Sequence, residues 1–270
     1  MAIQKVLITG AYGLIGNLVY AQLAGQPARY DVYGTARRPR PSQRAEEMET
    51  CLIPDEKLRI ADLTDFAAMQ RAMQGMDVVV HMAADPSGIP GWDSVLNNNI
   101  IGSYHMFEAS RLAGVKRVLY ASSNQVSFGY RDQEPFKSLL APQAREVDPR
   151  DIRPIDPTQP TRPLNFYACS KVFGEGLAHM YAYTHGLSCI VLRIGWVLGD
   201  DQPPGHFARA VWCSQRDCVQ LVELAINAPD SLRFDIFYVQ SANAHNFVDI
   251  QHAKDVLGYA PQDSAENHLP

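Results

Sequence analysis

The sequence predicts an α/β fold: a doubly wound parallel sheet with a small C-terminal lobe. Three observations carry that expectation. Over about the first 125 residues, short β-rich runs alternate with helical stretches, the pattern of parallel βαβ units. The run MDVVVHM at 76–82 is almost continuously apolar, as suits a strand covered on both faces. A turn with three glycines, TGAYGLIG at 9–16, stands between the first strand and the first helix.

Lys5 to Thr9 reads as strand one, ending at Gly10. Leu14, Ile15, Leu18, Val19 and Leu23 then recur at three- and four-residue spacing, which marks a helix. Val32 to Thr35 is expected as strand two, Leu58 to Ala61 as strand three and Met76 to Met82 as strand four. Val95 to Leu112 reads as one helix and Arg117 to Ala121 as strand five. Residues 130–163 hold seven of the chain's eighteen prolines with little periodicity, so they read as a long loop. Phe166 to His185 resumes as a long helix and Ser188 to Arg193 as strand six. The remainder is mixed, with shorter elements, so residues 1–270 are expected as one domain in which parts of 196–270 form a small lobe. That lobe would lie over the carboxyl ends of the strands, where open α/β sheets bind ligands.

The composition excludes several classes. Hydrophobic residues make up 46% and charged residues 20%, a globular balance. A net charge of -5 attracts no nucleic acid. No run is apolar enough to span a membrane, and Met1 leads straight into KVLIT, so no signal peptide is expected. Five cysteines, odd in number and without a CxxC pair, point to free thiols in a reducing compartment. A cytosolic protein is expected. The eight histidines are dispersed, so no metal site is expected.

In the glycine turn, Gly10 would permit the tight bend, Gly13 the approach of a pyrophosphate and Gly16 close packing of helix on strand. The helix N-terminus would offer N–H groups and a positive dipole end to the phosphates. This is the Rossmann-type context for a dinucleotide. Strand two ends in GTARR, where an acidic residue would favour NAD. Arg37 and Arg38 suit the 2′-phosphate of NADP through forked hydrogen bonds; the other reading is a solvated basic turn. NADP is therefore favoured, with NAD as the alternative. Asp62, closing strand three, is placed to meet the adenine edge.

Tyr167 and Lys171 stand four apart in YACSK and share a helical face. A free tyrosine is too weak an acid to serve as a base near neutrality, and a nearby ammonium favours its phenolate. Tyr167 could then exchange a proton with a substrate oxygen while hydride moves at the same carbon. Such a pair alone is often a solvated accident. Ser123, in YASSNQVSFG after strand five, adds a hydroxyl for the reacting oxygen. Asn99, in NNNIIGS, is a fourth member that would order water or the helix backbone.

These residues resemble the extended short-chain dehydrogenase/reductase family. The resemblance runs in order through TGxxGxxG at 9–16, DL at 62–63, HMAA at 81–84, NxxGS at 99–103, SSNxV at 122–126, YxxSK at 167–171 and RIG at 193–195. Asp217 and the late LGYAPQDSAE segment also fit, so nearly the whole chain is covered. The resemblance implies a catalytic tetrad of Asn99, Ser123, Tyr167 and Lys171. It implies a cofactor cradle of Gly10, Tyr12, Gly13, Leu14, Ile15, Gly16, Arg37, Arg38, Asp62, Leu63, Ala83, Ala84 and Ile194, shared with Asn99, Tyr167 and Lys171. Within the family the SSN turn and short C-terminal half look like the uronate dehydrogenases and related sugar dehydrogenases, which oxidise an anomeric carbon to a lactone. Substrate would then meet Ser123, Asn124, Gln125 and Tyr167, with Arg209 in HFARAVW as carboxylate partner or, read alone, a surface arginine. Three departures stand out: Gln125 replaces a histidine, Trp196 replaces a small polar residue, and the 130–163 loop is longer.

The function expected is hydride transfer between a nicotinamide cofactor and the hydroxyl or carbonyl carbon of a sugar-like small molecule such as a uronate or aldose. Two alternatives are a nucleotide-sugar epimerase or dehydratase with tightly bound NAD, and a non-catalytic NAD(P)-sensing protein. His81 is expected as a packed strand-end residue. Trp92 and Trp196 read equally as pocket lining or scaffold. The helices after strands four and five are expected to pair in a homodimer.

Overall fold

The computed structural model describes residues 3–42, 45, 48–86, 91–141, 148–205 and 207–268. Seven strands form one parallel sheet in the order β3-β2-β1-β4-β5-β6-β7. They are β1 (Gln4–Thr9), β2 (Tyr30–Ala36), β3 (Leu58–Ile60), β4 (Val78–His81), β5 (Arg117–Ser123), β6 (Ser188–Ile194) and β7 (Phe234–Val239). The order reverses between β1 and β4, and that crevice is where open α/β sheets take ligands.

Both faces are covered. Apolar side chains of α1 (Leu14–Ala24), α7 (Gln215–Ile226) and α8 (Gln251–Leu257) share a core with Val6, Ile8, Val80, Leu119, Leu192 and Phe237. On the other face, α2 (Phe66–Met73), α4 (Gly102–Leu112) and α6 (Phe166–His185) pack on Leu7, Val79, Val118, Tyr120 and Val191. Successive strand residues alternate between these two cores, as the period of two requires. The doubly wound parallel sheet expected from the sequence is the fold observed. Among the described residues, no helix is long and apolar enough to cross a membrane.

Three elements differ from expectation. β7 is a strand not expected from the sequence; it is the sheet edge, and its first three residues are only half-buried. Its FDIFYV segment therefore gives neither clean alternation nor a buried run. The helix expected over 95–112 begins at α3 (Trp92–Ser94), but Val95–Ile101 is π-helical before α4 continues. The Gly102 N–H there bonds the Asn97 carbonyl, five residues back. Within 130–163 lie α5 (Phe136–Leu139) and a 3₁₀ turn at Pro149–Asp151. Phe128, Tyr130, Phe136, Leu139 and Ile155 join Ala210, Val211, Tyr238, Phe247 and Val248 in a third apolar cluster. Single bridges, Ile155 to Val248 and Trp196 to Trp212, tie these segments together.

Helix α6 sits unusually close to β5. A Cβ added at Gly174 would lie 2.0 Å from the Tyr120 hydroxyl oxygen, whereas one at Gly176 would meet nothing within 4 Å. Two glycine-to-alanine changes in one helix should therefore act with opposite sign. Gly174→Ala is expected to destabilise by about 1–3 kcal/mol through overpacking. Gly176→Ala should stabilise by about 0.4–1 kcal/mol, because alanine is the better helix former. Chemical denaturation of the two variants checks this; equal effects would show that the backbone contact at 174 is unimportant.

Candidate active site

The glycine turn lies at the crevice between β1 and β4. Gly10 has φ +67°, and a Cβ there would lie 2.9 Å from the Ala83 Cα. The turn thus needs both the left-handed backbone and the bare α-carbon of glycine. A Cβ at Gly16 would stand 2.2 Å from the Gly10 carbonyl oxygen, so α1 leans on the turn as expected. Gly13 is the N-cap of α1; it brings no side-chain cap, and the first turn carries no acidic residue. The N–H groups at Leu14, Ile15 and Gly16 therefore face the crevice end without a side-chain acceptor, a site for phosphate oxygens. The Ala83 N–H bonds Thr9 Oγ1 (3.2 Å), which fixes the β4 exit, with half-buried Ala84 next to it, beside the turn.

Tyr12 differs from its expected place. Its ring belongs to the core, its hydroxyl accepts from the Ile53 N–H (3.1 Å) and its carbonyl accepts from the Ser42 N–H (2.8 Å). Its side chain thus staples the connector after β2 and does not line the crevice. Arg37 and Arg38 are exposed just beyond β2. Asp62 Oδ1 accepts from the Thr64 N–H (2.9 Å) and hydroxyl (2.7 Å). Partial burial would raise the Asp62 carboxyl, but the Thr64 bonds and the Arg37 charge outweigh it and hold it below the ordinary carboxylate range. Arg37 and Asp62 are thus neighbours beyond the ends of β2 and β3. Leu63 is buried and packs against Gly102.

At the other end, α6 presents Tyr167 and Lys171 to the end of β5. Lys171 is buried; its Nζ donates to the Ala121 carbonyl (2.8 Å) and stands 5.5 Å from the Tyr167 ring centre. Burial pushes its ammonium down to about 8, against a partial upward pull from Glu175. Ser123 closes β5, buried, opposite Ile194 of β6 in register. Its Oγ accepts from the Gln125 N–H (3.2 Å), and its own hydrogen is available to a substrate oxygen.

Asn99 and Gln125 are brought to the site in roles other than direct contact. The Asn99 Nδ2 donates to the Asp85 carbonyl (3.1 Å) and Ser170 Oγ (3.0 Å), while its Oδ1 accepts from the Asp85 N–H (2.7 Å). Both amide hydrogens are spent inside the protein, so its side chain positions α6 against the β4 exit. Gln125 Oε1 accepts from Asn165 Nδ2 (3.0 Å), and Asn165 Oδ1 caps α6 through the Ala168 N–H (2.8 Å). This strut ties the start of α6 to the turn after Ser123. Asn124 is wholly buried, and Arg209 is half-buried on the 3₁₀ turn Phe207–Ala210. Trp196 packs on Phe207 within the third cluster, and Trp92 meets Phe166 edge-on at 5.5 Å. His81 is buried and bonds Thr9 Oγ1 through Nδ1 (2.8 Å). Burial, aided by the Lys171 charge, pushes its imidazole down to about 3, so it stays neutral as a packed residue.

Glu175, not singled out by sequence, and Arg193 of the RIG motif hold this arrangement. Glu175 receives Ser122 Oγ (2.6 Å) and the Arg193 guanidinium at both carboxylate oxygens (3.0 and 2.8 Å), all buried. Glu175 stands one further helical turn beyond Lys171, a spacing that could have flagged it; Arg193 lies in the RIG motif.

With this geometry in hand, comparison with known proteins is direct. Residues 6–218 match the NAD dependent epimerase/dehydratase family. The chain belongs to this family. It is 34% identical to the NAD-dependent glucose-6-phosphate dehydrogenase of Haloferax volcanii, covering 97% of this chain and 94% of that protein. It is 32% identical to the L-arabinose 1-dehydrogenase (NAD(P)(+)) of the same organism, covering 97% of each. The solved uronate dehydrogenase from Agrobacterium tumefaciens superposes with a TM-score of 0.78 at 30% identity, covering 99% of this chain and 87% of that one.

The depressed Lys171 value has a testable consequence. The unfolded chain keeps its lysine proton to the ordinary 10.5, while the folded protein releases it near 8. Between those values the unfolded state binds more protons, so stability rises with pH. Lys171→Met should be the more stable protein at neutral pH, and its advantage should shrink as pH climbs from 8 towards 10.5. Thermal melting across that range measures it; parallel pH profiles for both proteins would rule out a buried titrating Lys171.

Proposed function

We propose that this protein is an NAD(P)-dependent dehydrogenase that oxidises the hydroxyl or hemiacetal carbon of a sugar, with Tyr167 as the base. The observation that carries the reading is Lys171, a buried ammonium beside the Tyr167 ring at the mouth of an uncapped, glycine-lined dinucleotide crevice. The crevice fits a dinucleotide: α1 offers its first-turn N–H groups to the pyrophosphate, and Gly10 and Gly13 keep side chains out of the way. Bound there, the nicotinamide supplies the hydride acceptor.

Lys171, 5.5 Å from the Tyr167 ring centre, favours its phenolate by charge. Tyr167 then takes the proton of the substrate hydroxyl, or returns it to a carbonyl in reverse. Ser123 donates to the same oxygen and steadies its developing charge. Asn99 and the Gln125–Asn165 strut hold these groups in register. Arg209 is suited to an anionic substituent of the sugar. The third apolar cluster is the floor of a small substrate lobe. Arg37 and Arg38 favour NADP, with Asp62, near Arg37, meeting the adenine edge.

A screen of reduced-nicotinamide absorbance with uronates, aldoses and sugar phosphates, run with NAD and NADP in parallel, tests the assignment. Tyr167→Phe should lower kcat by about 10²–10⁴-fold with cofactor binding unchanged; full activity in that variant would refute it. Replacing Arg37 and Arg38 by alanine should raise the KM for NADP by about tenfold and leave that for NAD alone. Equal effects on both cofactors would remove the 2′-phosphate reading.

We further infer a homodimer through α4 and α6, whose surfaces leave Tyr104, Leu112, Phe173, Met180 and Tyr183 exposed. Sedimentation velocity should report twice the chain mass; a monomer at micromolar concentration would contradict it.

A further inference from the structure

Folded proteins pair nearly all their buried polar groups, so each exception needs a reason. Among the described residues, six buried side-chain atoms lack a hydrogen-bond partner: Asn124 Nδ2 and Oδ1, Arg209 Nε, Trp212 Nε1, and Gln240 Nε2 and Oε1. They are not scattered. Ser123 pairs with Ile194, and Ile194 with Val239. One step further along, Asn124, Gly195 and Gln240 follow β5, β6 and β7 side by side at the carboxyl edge of the sheet. The turn bearing Arg209 and leading to Trp212 packs on the same place. A Cβ at Gly195 would lie 2.4 Å from the Val211 carbonyl oxygen and 3.0 Å from Gln240 Cγ.

We propose that Gln240 is a specificity residue which, with Asn124, reads a hydroxyl group on the part of the substrate remote from the reacting carbon. The proposal rests on the sugar-oxidising reading above. Gln240 leans over the bare α-carbon of Gly195 and sits two strands from Ser123, about 10 Å at the usual strand spacing. The chemistry fits a hydroxyl, since a carboxamide both donates and accepts, as a hydroxyl does. A carboxylate or phosphate only accepts, and would leave Gln240 Oε1 facing an anion; that duty falls to Arg209. Both carboxamides are shut off from solvent as well as from protein partners, a desolvation cost that a bound hydroxyl offsets. The Val211 carbonyl and Gln240 Cγ both crowd the bare α-carbon of Gly195.

The test uses the whole protein with oxidised cofactor and three probes, D-glucuronate, L-arabinose and D-glucose 6-phosphate. The side-chain amide signals of Gln240 are followed by NMR in protein carrying isotope-labelled glutamine. Kinetics of wild type and Gln240→Met are compared on the sugar that turns over and on its monodeoxy analogues. The wild type should prefer the sugar over at least one deoxy analogue by about tenfold. Gln240→Met should lose that preference and raise the sugar KM by a similar factor, with the cofactor KM unmoved, and the Gln240 amide signals should shift on sugar addition. Turnover with unmoved Gln240 signals, or with the deoxy preference intact in Gln240→Met, overturns this inference and leaves sugar oxidation standing. A Gln240 shift without turnover by any probe overturns the oxidation reading, and with it this inference, and leaves Gln240 a sugar contact alone. Neither shift nor turnover overturns both.

Discussion

The active-site geometry depends on one buried ion pair. Glu175 on α6 and Arg193 on β6 meet at both carboxylate oxygens, with side chains 7% and 2% exposed. Burial alone would push the Arg193 guanidinium down, but the bonds and charge of Glu175 outweigh it and hold it up. Such a pair survives in a core only when its remaining bonding capacity is met, and losing one partner typically costs about 3–5 kcal/mol. Here the capacity is met from three more elements. Ser122 of β5 donates to Glu175, Arg193 Nη1 donates to the Tyr238 hydroxyl of β7, and Tyr238 pairs with Ser127 beyond β5. The network brackets Ser123 and Asn124 from both sides in sequence. It therefore sets where the end of β5 stands relative to Tyr167 and Lys171.

The same helix face explains why α6 does not slide. Lys171, Gly174, Glu175 and Ala178 recur at the spacing of one helical stripe, and each is buried on the sheet side. Gly174 brings the backbone onto Tyr120, Lys171 bonds Ala121, and Glu175 bonds Ser122. Consecutive residues of β5 are thus gripped by one stripe of α6. At the other end of the site, Gly10 and Ala83 touch across the β1/β4 crevice. The glycine-turn end rests on backbone contact, and the Tyr167 end on buried charge.

Much of this was legible in the chain. The strands buried on both faces declared themselves as apolar runs, and the glycine turn declared its own conformation, since only glycine combines the positive φ at Gly10 with the close backbone contacts at Gly10 and Gly16. The placement of Tyr167 and Lys171 on one helix, and of Ser123 at the end of β5, was legible because each follows from local spacing. Tyr12 was misplaced because a motif fixes a backbone path and leaves the direction of a side chain open. Asn99 and Gln125 were seen as site residues, but their partners Asp85, Ser170 and Asn165 were not, because those bonds span as many as 71 positions. The β7 edge strand escaped notice because half-burial gives no periodic signal, and Gln240 at its end escaped with it.

Sequence by itself therefore determined the fold class, the glycine turn after β1 and the placement of Tyr167 and Lys171 on one helical face. Each is a local property, set by spacing along one helix or by the conformational limits of single residues. Tertiary structure alone decided which of the named residues present themselves to a ligand and which are spent as struts. It also gathered the unpaired atoms of Asn124, Arg209, Trp212 and Gln240 at one edge of the sheet. Those outcomes depend on hydrogen bonds and burial between segments distant in the chain, and no spacing along the sequence encodes which partner a buried polar group will find.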